Sequence, residues 1–150
     1  MTVETAPATT LDAIWREHAV PGVAIGLIAD GEEWFASFGV TSVEHPLPVD
    51  ADTLFQIGSI TKTVTATALM RLVEQSRLDL DVPVRRYLPE LRLRDEDVAR
   101  RVTLRHLLTH HGGWFGDFFD DTGSDDDALA RYVERLDTLE QLTPLGALWS

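Results

Sequence analysis

The sequence predicts a mixed α/β (α+β) fold in which an antiparallel sheet is flanked by helices. Two apolar runs, 23–29 and 33–40, surround Asp30-Gly31, a dipeptide typical of two-residue hairpin turns. Segments with apolar residues at helical spacing precede and follow the hairpin. Both runs carry apolar side chains on both faces, so we expect the sheet to be covered on each side.

Composition narrows the possible functions. The chain has 150 residues, 44% of them hydrophobic, which suits one domain with a core. It has no cysteine, which excludes disulfides, thiolate nucleophiles and cysteine-ligated metals. The net charge of −12 argues against nucleic acid or anionic lipid as a partner. Without a recognisable signal peptide or a membrane span of roughly 18 apolar residues, we expect a cytoplasmic protein.

The first element is a short helix over residues 11–18. Leu11, Ile14, Trp15 and His18 follow the i, i+3, i+4, i+7 spacing of one helix face. Thr10 is the predicted cap, and Pro21-Gly22 ends the segment before the hairpin begins.

The stretch GSITKTVTAT (58–67) carries two conflicting signals. Its alternating threonines favour a strand by local propensity. The apolar stripe from Val64 to Val73, at i, i+4, i+5, i+8 and i+9, favours a helix. Each threonine costs only a few tenths of a kcal/mol in a helix, which burial easily overrides. We therefore predict a buried helix over roughly 60–75, with Ser59 or Thr61 as its cap.

Most of the remaining chain is predicted to be helical. Residues 78–91 read as an extended loop with two prolines. A short helix is expected over 103–113, with Thr103 as cap and Gly112-Gly113 as its end. An amphipathic helix opened by acidic residues is expected over 125–142, before a turn-like end.

Ser59 and Lys62 are the candidate catalytic residues. Residues three apart share a face on a helix but not on a strand. Lys62 is the only lysine among 13 basic residues, and an arginine could not accept a proton in its place. A serine hydroxyl becomes a good nucleophile when a base removes its proton, which an amine can do if desolvation lowers its pKa. The alternative is a helix cap beside a solvated lysine.

Three blocks of the sequence resemble one known family. FQIGSITKTVTATALMRLVEQSRLDLDVPVRRYLPEL (55–91) resembles the nucleophile region of the penicillin-recognising serine hydrolases. This family includes class C β-lactamases, D-alanyl-D-alanine peptidases and related carboxylesterases. VTLRHLLTHHGGW (102–114) is similar to its RHLLTH…G segment, and VPGVAIGLIADGEEWFASFGV (20–40) also corresponds. Three blocks in order are more specific than S-x-x-K alone.

The resemblance implies a β-lactamase-like fold, an α/β domain with an inserted helical domain. Residues 1–58 would form the first part of the α/β domain, and 59–150 the nucleophile helix and most of the helical domain. Ser59 would be acylated, Lys62 would act as base, and the Ser59 N–H would form half of the oxyanion hole. The substrate would be a small-molecule ester, amide or β-lactam, and no cofactor or metal is expected.

The resemblance also implies that the fold needs further sequence. In the family a Tyr-x-Asn motif and later a Lys-Thr-Gly-like strand follow, and this chain ends at Ser150. We therefore expect the N-terminal part of a serine hydrolase, inactive and incompletely folded alone. Two alternatives are a non-catalytic penicillin-binding-like module and half of a split hydrolase needing a C-terminal partner chain. A coding sequence continuing into Tyr-x-Asn favours the first interpretation, and a stop codon favours the alternatives.

Two other clusters could suggest metal binding. His106, His110 and His111 have zinc-like spacing, but Leu107 replaces the glutamate of H-E-x-x-H, so a structural role is favoured. The acidic segment 117–127 lacks the spacing and the glutamate of an EF-hand, so a solvated loop and helix cap are favoured over calcium binding.

Aromatic side chains follow the glycine pair. Trp114, Phe115, Phe118 and Phe119 could line a pocket for an apolar acyl group or belong to the core. We favour the core.

Overall fold

The computed structural model describes residues 8–116 and 118–149. It divides into two compact units between Ile57 and Gly58, and each is described by itself. The helices and strands, in chain order, are α1 (Ala8–Glu17), β1 (Gly22–Ala29), β2 (Glu32–Gly39), α2 (Ile60–Glu74), α3 (Glu96–Arg101), α4 (Leu104–Leu108) and α5 (Ala128–Glu134). Short 3₁₀ helices cover Val84–Arg86 and Arg135–Thr138. None of the helices in the described ranges is long and apolar enough to cross a membrane.

The predicted hairpin is confirmed to within one residue at each end. β1 and β2 pair antiparallel from Gly22↔Gly39 to Ala29↔Glu32. Asp30 and Gly31 have φ values of +53° and +83°, so both turn residues lie in the left-handed region. A two-residue turn of this kind matches the right-handed twist of the strands, which is why Asp-Gly at this position predicts a hairpin.

The first helix is confirmed, but its predicted cap at Thr10 is wrong because α1 already begins at Ala8. α1 lies against one face of the sheet, where the Trp15 ring stacks on Phe38 with 5.9 Å between centroids. The Trp15 Nε1–H donates to the Val20 carbonyl. One helix therefore covers part of one sheet face.

The other face of the hairpin is uncovered near the turn within the described residues. Ile28 is 73% exposed, and Phe35 on the paired strand is also exposed. A Cβ added at Gly26 would meet no atom within 4 Å. Within the described residues these side chains therefore lack the cover that the sequence analysis expects on each side of the sheet.

The core of the second unit combines Val84 and Leu91, from the segment predicted to be an extended loop, with residues between 93 and 102. Its fully or nearly buried members are Val84, Leu91, Leu93, Val98, Ala99 and Val102. A 3₁₀ turn at Val84–Arg86 and backbone pairing between Val84 and Val102, at 2.8 Å, hold the segment in place. Because its apolar residues have neither helical nor strand periodicity, sequence reasoning did not identify this core.

α3 was not predicted from the sequence. The Asp95 side chain caps it by accepting from the N–H groups of Asp97 and Val98, at 2.9 and 3.1 Å. Arg85 donates two hydrogen bonds to Glu96 at 2.6 and 2.8 Å, which ties the helix to the preceding segment.

Two predicted helices are shorter than expected. α4 has the predicted cap at Thr103 but ends at Leu108 rather than at the glycine pair. His110 adopts φ +57°, the left-handed conformation that ends helices. The predicted helix 125–142 is α5 followed by a 3₁₀ turn to Thr138, and the side chain of Asp127 makes no capping hydrogen bond.

α2 confirms the helix predicted at 60–75, but the prediction that it is buried is wrong. None of its residues is buried in the described structure. Leu69, Leu72 and Val73 are half-buried near its C-terminal end, whereas Ile60 and Val64 are exposed. The apolar stripe therefore packs within its own unit only along its last turns.

We expect residues 1–150 expressed alone to expose enough apolar surface to bind the dye ANS. A two-stranded sheet is marginal by itself, and each apolar side chain left in water forgoes roughly 1.5–3 kcal/mol of stabilisation. Fluorescence titration with ANS and thermal unfolding followed by circular dichroism measure this directly. A sharp cooperative transition without dye binding would contradict the expectation.

An ion pair joins the loop after α2 to α4. Arg105 donates to both carboxylate oxygens of Asp81, at 2.6 and 2.8 Å, although the two residues are 24 positions apart. The hydrogen bond from Arg105 holds the pKa of Asp81 below its ordinary value. Because the folded pKa is lowered, the stabilisation is present above the unfolded-state pKa of about 4 and is lost as the pH falls through the folded value.

We therefore expect Asp81→Asn to lower the free energy of unfolding of the full-length natural protein at pH 7 and to have a progressively smaller effect as the pH falls below about 4. Urea unfolding at a series of pH values measures the difference. Asp126→Asn is the matched control, since Asp126 is exposed and forms no ion pair within the described ranges. A stability difference between the wild type and Asp81→Asn that does not change with pH would disprove this role of the ion pair.

Candidate active site

The residue before the N-cap of α2 is a glycine in a left-handed conformation. Gly58 has φ +52°, a backbone conformation that a side chain disfavours. Ser59 then occupies the N-cap position with φ −69° and ψ −9°. Ser59, one of the two predicted caps, therefore holds the cap position, but its side chain makes no capping hydrogen bond. The Ser59 hydroxyl is thereby left free for another partner.

The threonines of α2 are accommodated by hydrogen bonds to the preceding turn. Thr63 donates to the carbonyl of Ile60 at 2.7 Å, and Thr67 donates to that of Thr63 at 2.8 Å. Thr65 does the same to Thr61 at 3.1 Å. Back-bonding of this kind satisfies the hydroxyls inside a helix, so these β-branched residues do not force a strand.

The helix brings Ser59 and Lys62 together. The Lys62 Nζ donates to the Ser59 Oγ at 3.0 Å, and both residues are exposed. On a strand the two side chains would point to opposite faces. The geometry predicted from the three-residue spacing is therefore present.

The histidines lie away from any metal-binding arrangement. His106 Nδ1 lies 3.2 Å from the Thr103 N and 2.8 Å from its Oγ1. His111 Nδ1 faces the carbonyl oxygen of Thr109 at 2.6 Å, and the His110 ring lies 5.8 Å from that of Trp149. Among the described residues, no three His, Asp or Glu side chains are placed to hold a metal ion.

The acidic segment 117–127 supplies ion pairs to α5 and the turn that follows it. Asp125 pairs with Arg131, and Asp120 pairs with Arg135 at 2.6 Å. Asp121 accepts from the N–H of Gly123 at 2.8 Å. Asp117, the first residue of the segment, lies outside the described residues. These contacts fit the solvated loop that the sequence analysis favoured over a calcium site.

The aromatic residues after the glycine pair divide into two groups. Trp114 packs against the core, and Phe118 lies 5.3 Å from the ring of Tyr132. Phe115 and Phe119 are exposed, the latter by 90%, so the prediction that all four are core residues is wrong for these two. Sequence reasoning also missed Asp81 and Arg105, because a pair 24 residues apart has no local signal.

The sequence of residues 8–150 matches the family described as Beta-lactamase. Penicillin-binding protein 4 of Amycolatopsis lactamdurans is 43% identical over 82% of this chain and 32% of its own length. Esterase EstB of Burkholderia gladioli is 39% identical over 71% of this chain and 29% of its own length.

A solved structure shows the same fold. The class C beta lactamase of Rhodobacter sphaeroides superposes with a TM-score of 0.71 and 32% identity, covering 95% of this chain and 39% of that one. The chain thus spans about a third of the length of the curated relatives named here. The resemblance and the predicted fold class, a β-lactamase-like mixed fold represented in part, are confirmed. The chain belongs to the β-lactamase family.

Proposed function

We propose that this chain carries the nucleophile and the base of a serine hydrolase that cleaves a small ester, amide or β-lactam through an acyl-enzyme. The observation that carries the proposal is the 3.0 Å hydrogen bond between Lys62 Nζ and Ser59 Oγ at the start of α2. Family membership supports it, since relatives are named for penicillin binding and for esterase activity.

The proposed reaction begins with proton transfer along this hydrogen bond. A neutral Lys62 amine takes the proton of the Ser59 hydroxyl while Oγ forms a bond to the substrate carbonyl carbon. The tetrahedral intermediate then expels the alcohol or amine, which takes the proton held by Lys62 as its bond to carbon breaks and leaves the lysine neutral again. Water hydrolyses the remaining Ser59 ester and releases the acid.

The start of α2 suits the negative charge that develops on the carbonyl oxygen. α2 has 15 residues, and the first N–H groups of a helix have no intrahelical acceptor. Together with the helix dipole, these groups stabilise an anion by up to about 2 kcal/mol. We propose that the Ser59 N–H is one of two oxyanion-hole donors and that the second comes from outside this chain.

We further propose that the active hydrolase needs polypeptide beyond these 150 residues. Support comes from the one-third coverage of the relatives, from the uncovered hairpin face and from the exposure of Ser59 and Lys62. A base that works near neutral pH needs a less hydrated setting than the described residues provide. The missing cover would come from a C-terminal continuation or, in a split hydrolase, from a separate chain.

A binding module without turnover is the second candidate function. The relative named as a penicillin-binding protein favours it, because binding through the same site requires no deacylation. The rate at which the acyl group of the substrate is released from Ser59 distinguishes the two functions. A hydrolase releases product repeatedly, whereas a binding module stops after one equivalent.

We expect a fluorophosphonate to label the full-length natural protein on Ser59. Oγ displaces fluoride from phosphorus, and mass spectrometry should find the adduct on the peptide that contains Ser59. Ser59→Ala should abolish labelling, whereas Ser124→Ala, at an exposed loop serine, should leave it unchanged. Undiminished labelling of Ser59→Ala would refute the assignment.

Lys62→Arg should damage ester hydrolysis nearly as much as Lys62→Ala. A guanidinium keeps the positive charge but cannot accept the proton, so each change should lower kcat/KM by about 10²–10⁴-fold. Release of p-nitrophenol from a p-nitrophenyl ester measures the rates. Arg77→Ala, which removes an exposed cation from the same unit, is the control. If Lys62→Arg retains most of the activity, the lysine acts only through its charge.

A further inference from the structure

His106 completes an unusual helix cap at the start of α4. The Thr103 hydroxyl accepts from the N–H of His106 at 3.3 Å, and the His106 ring reaches back to the N–H of Thr103 at 3.2 Å. This reciprocal arrangement is a capping box, in which the second position is normally Glu or Gln. Thr103 is only 8% exposed, so water cannot readily replace the ring as partner of its N–H.

The direction of these hydrogen bonds fixes the state of the ring. A backbone N–H can only donate, so the Nδ1 of His106 must accept and must carry no proton. The ring in the capped structure is therefore the neutral tautomer with its proton on Nε2. The Thr103 hydroxyl, 2.8 Å from Nδ1, can donate to the same nitrogen. A Glu or Gln at this position would accept without any such requirement.

We propose that His106 is a pH-sensitive cap, which holds α4 and the segment 141–147 in place when its ring is neutral and releases them when the ring is protonated. Protonation places a hydrogen on Nδ1, which then cannot accept from the Thr103 N–H. The buried N–H loses its partner, and the five-residue helix loses one end. Histidine is the side chain that ordinarily changes charge between about pH 5 and 8.

The charged groups around the ring give the sign of the effect. Asp81 lies close enough to attract a protonated His106, but both of its oxygens are already bound by Arg105. The Arg105 guanidinium would repel a second positive charge on the same helix. On α3, Arg101 is paired with Asp97 at 2.7 Å.

The segment beside Nε2 of the ring carries no charge. Residues 143–147, which include Gly146 beside the ring, contain no titratable side chain. Asp79, near Arg105, is the other acidic group on the loop after α2. Because Arg105 already pairs with Asp81, we expect loss of the cap to outweigh the attraction by Asp81.

Residues 141–147 depend on the segment that α4 begins. Gly146 donates to the His111 carbonyl at 2.9 Å, and Leu142 and Thr143 donate to that of Gly113 at 2.8 and 3.0 Å. A Cβ on Gly146 would lie 3.5 Å from His106 Nε2, so the ring and this segment are neighbours. Loosening α4 should therefore expose these amides to exchange.

The test compares His106→Gln with the wild-type full-length natural protein between pH 8 and pH 5. Gln keeps a capping acceptor but does not titrate. A cap contributes about a factor of five in the folding equilibrium. Between pH 8 and pH 5, we expect the folding equilibrium constant of the wild type to fall about five-fold more than that of His106→Gln. Hydrogen exchange at Gly146 of the wild type should be faster at pH 5 than at pH 8. His45→Gln, at an exposed loop histidine, should behave as wild type.

Two results would overturn the proposal. One is an identical pH dependence in wild type and His106→Gln. The other, which needs no variant, is a ¹⁵N NMR spectrum showing the His106 proton on Nδ1 at pH 8. If His106→Gln does not fold, this tautomer measurement decides alone, and the proton on Nε2 is the supporting result.

Discussion

The hydrogen bond between Lys62 and Ser59 is the interaction on which the proposed chemistry of this chain depends. It exists because residues 60–74 form a helix, which places side chains three apart on one face. Gly58, with its positive φ, turns the chain so that Ser59 stands at the helix start. The serine's hydroxyl makes no capping hydrogen bond, so it can accept from the amine. The helical conformation of α2 thus determines both the contact between Ser59 and Lys62 and the position of the pair at the positive end of the helix dipole.

The helical conformation of residues 60–74 runs against the strand propensity of its threonines. Hydrogen bonds of the threonine hydroxyls explain how the helix accommodates them. Thr63, Thr65 and Thr67 each donate to a carbonyl one turn back, which satisfies hydroxyls that would otherwise compete with helix formation. The half-buried Leu69, Leu72 and Val73 hold the C-terminal turns against their unit. The first turns, which carry Ser59 and Lys62, lie exposed. The end of α2 that carries the proposed nucleophile and base is therefore its more exposed part within the described residues.

Sequence reasoning succeeded where a local signal exists and failed where stability comes from distant residues. Asp30-Gly31 predicts the hairpin because its turn needs two positive φ values, and Thr103 predicts a helix start because its hydroxyl caps one. The core around Val102 has no periodicity to read. The C-terminal end of α4 depends on His110 adopting a left-handed conformation that favours glycine. The Arg105–Asp81 pair was not predictable because 24 residues separate its members.

The same limit applies to the candidate site. The spacing of Ser59 and Lys62 was sufficient to predict their contact, because a single helical turn relates them. The burial of α2 was predicted from its apolar stripe. Such a stripe indicates that this face of the helix suits packing against an apolar partner, but it does not identify the partner. Within the described residues that partner is present for the last turns alone. Family membership accounts for the motifs, whereas substrate choice depends on groups that these motifs do not specify.

The most direct test of the central claim is a crystal structure of the full-length natural protein after reaction with a boronic acid, which forms a reversible bond from boron to a nucleophilic serine oxygen. The account predicts continuous electron density from Ser59 Oγ to boron, with Lys62 Nζ within about 3 Å of Oγ. Boron attached to another residue, or Lys62 turned away from the adduct, would contradict it.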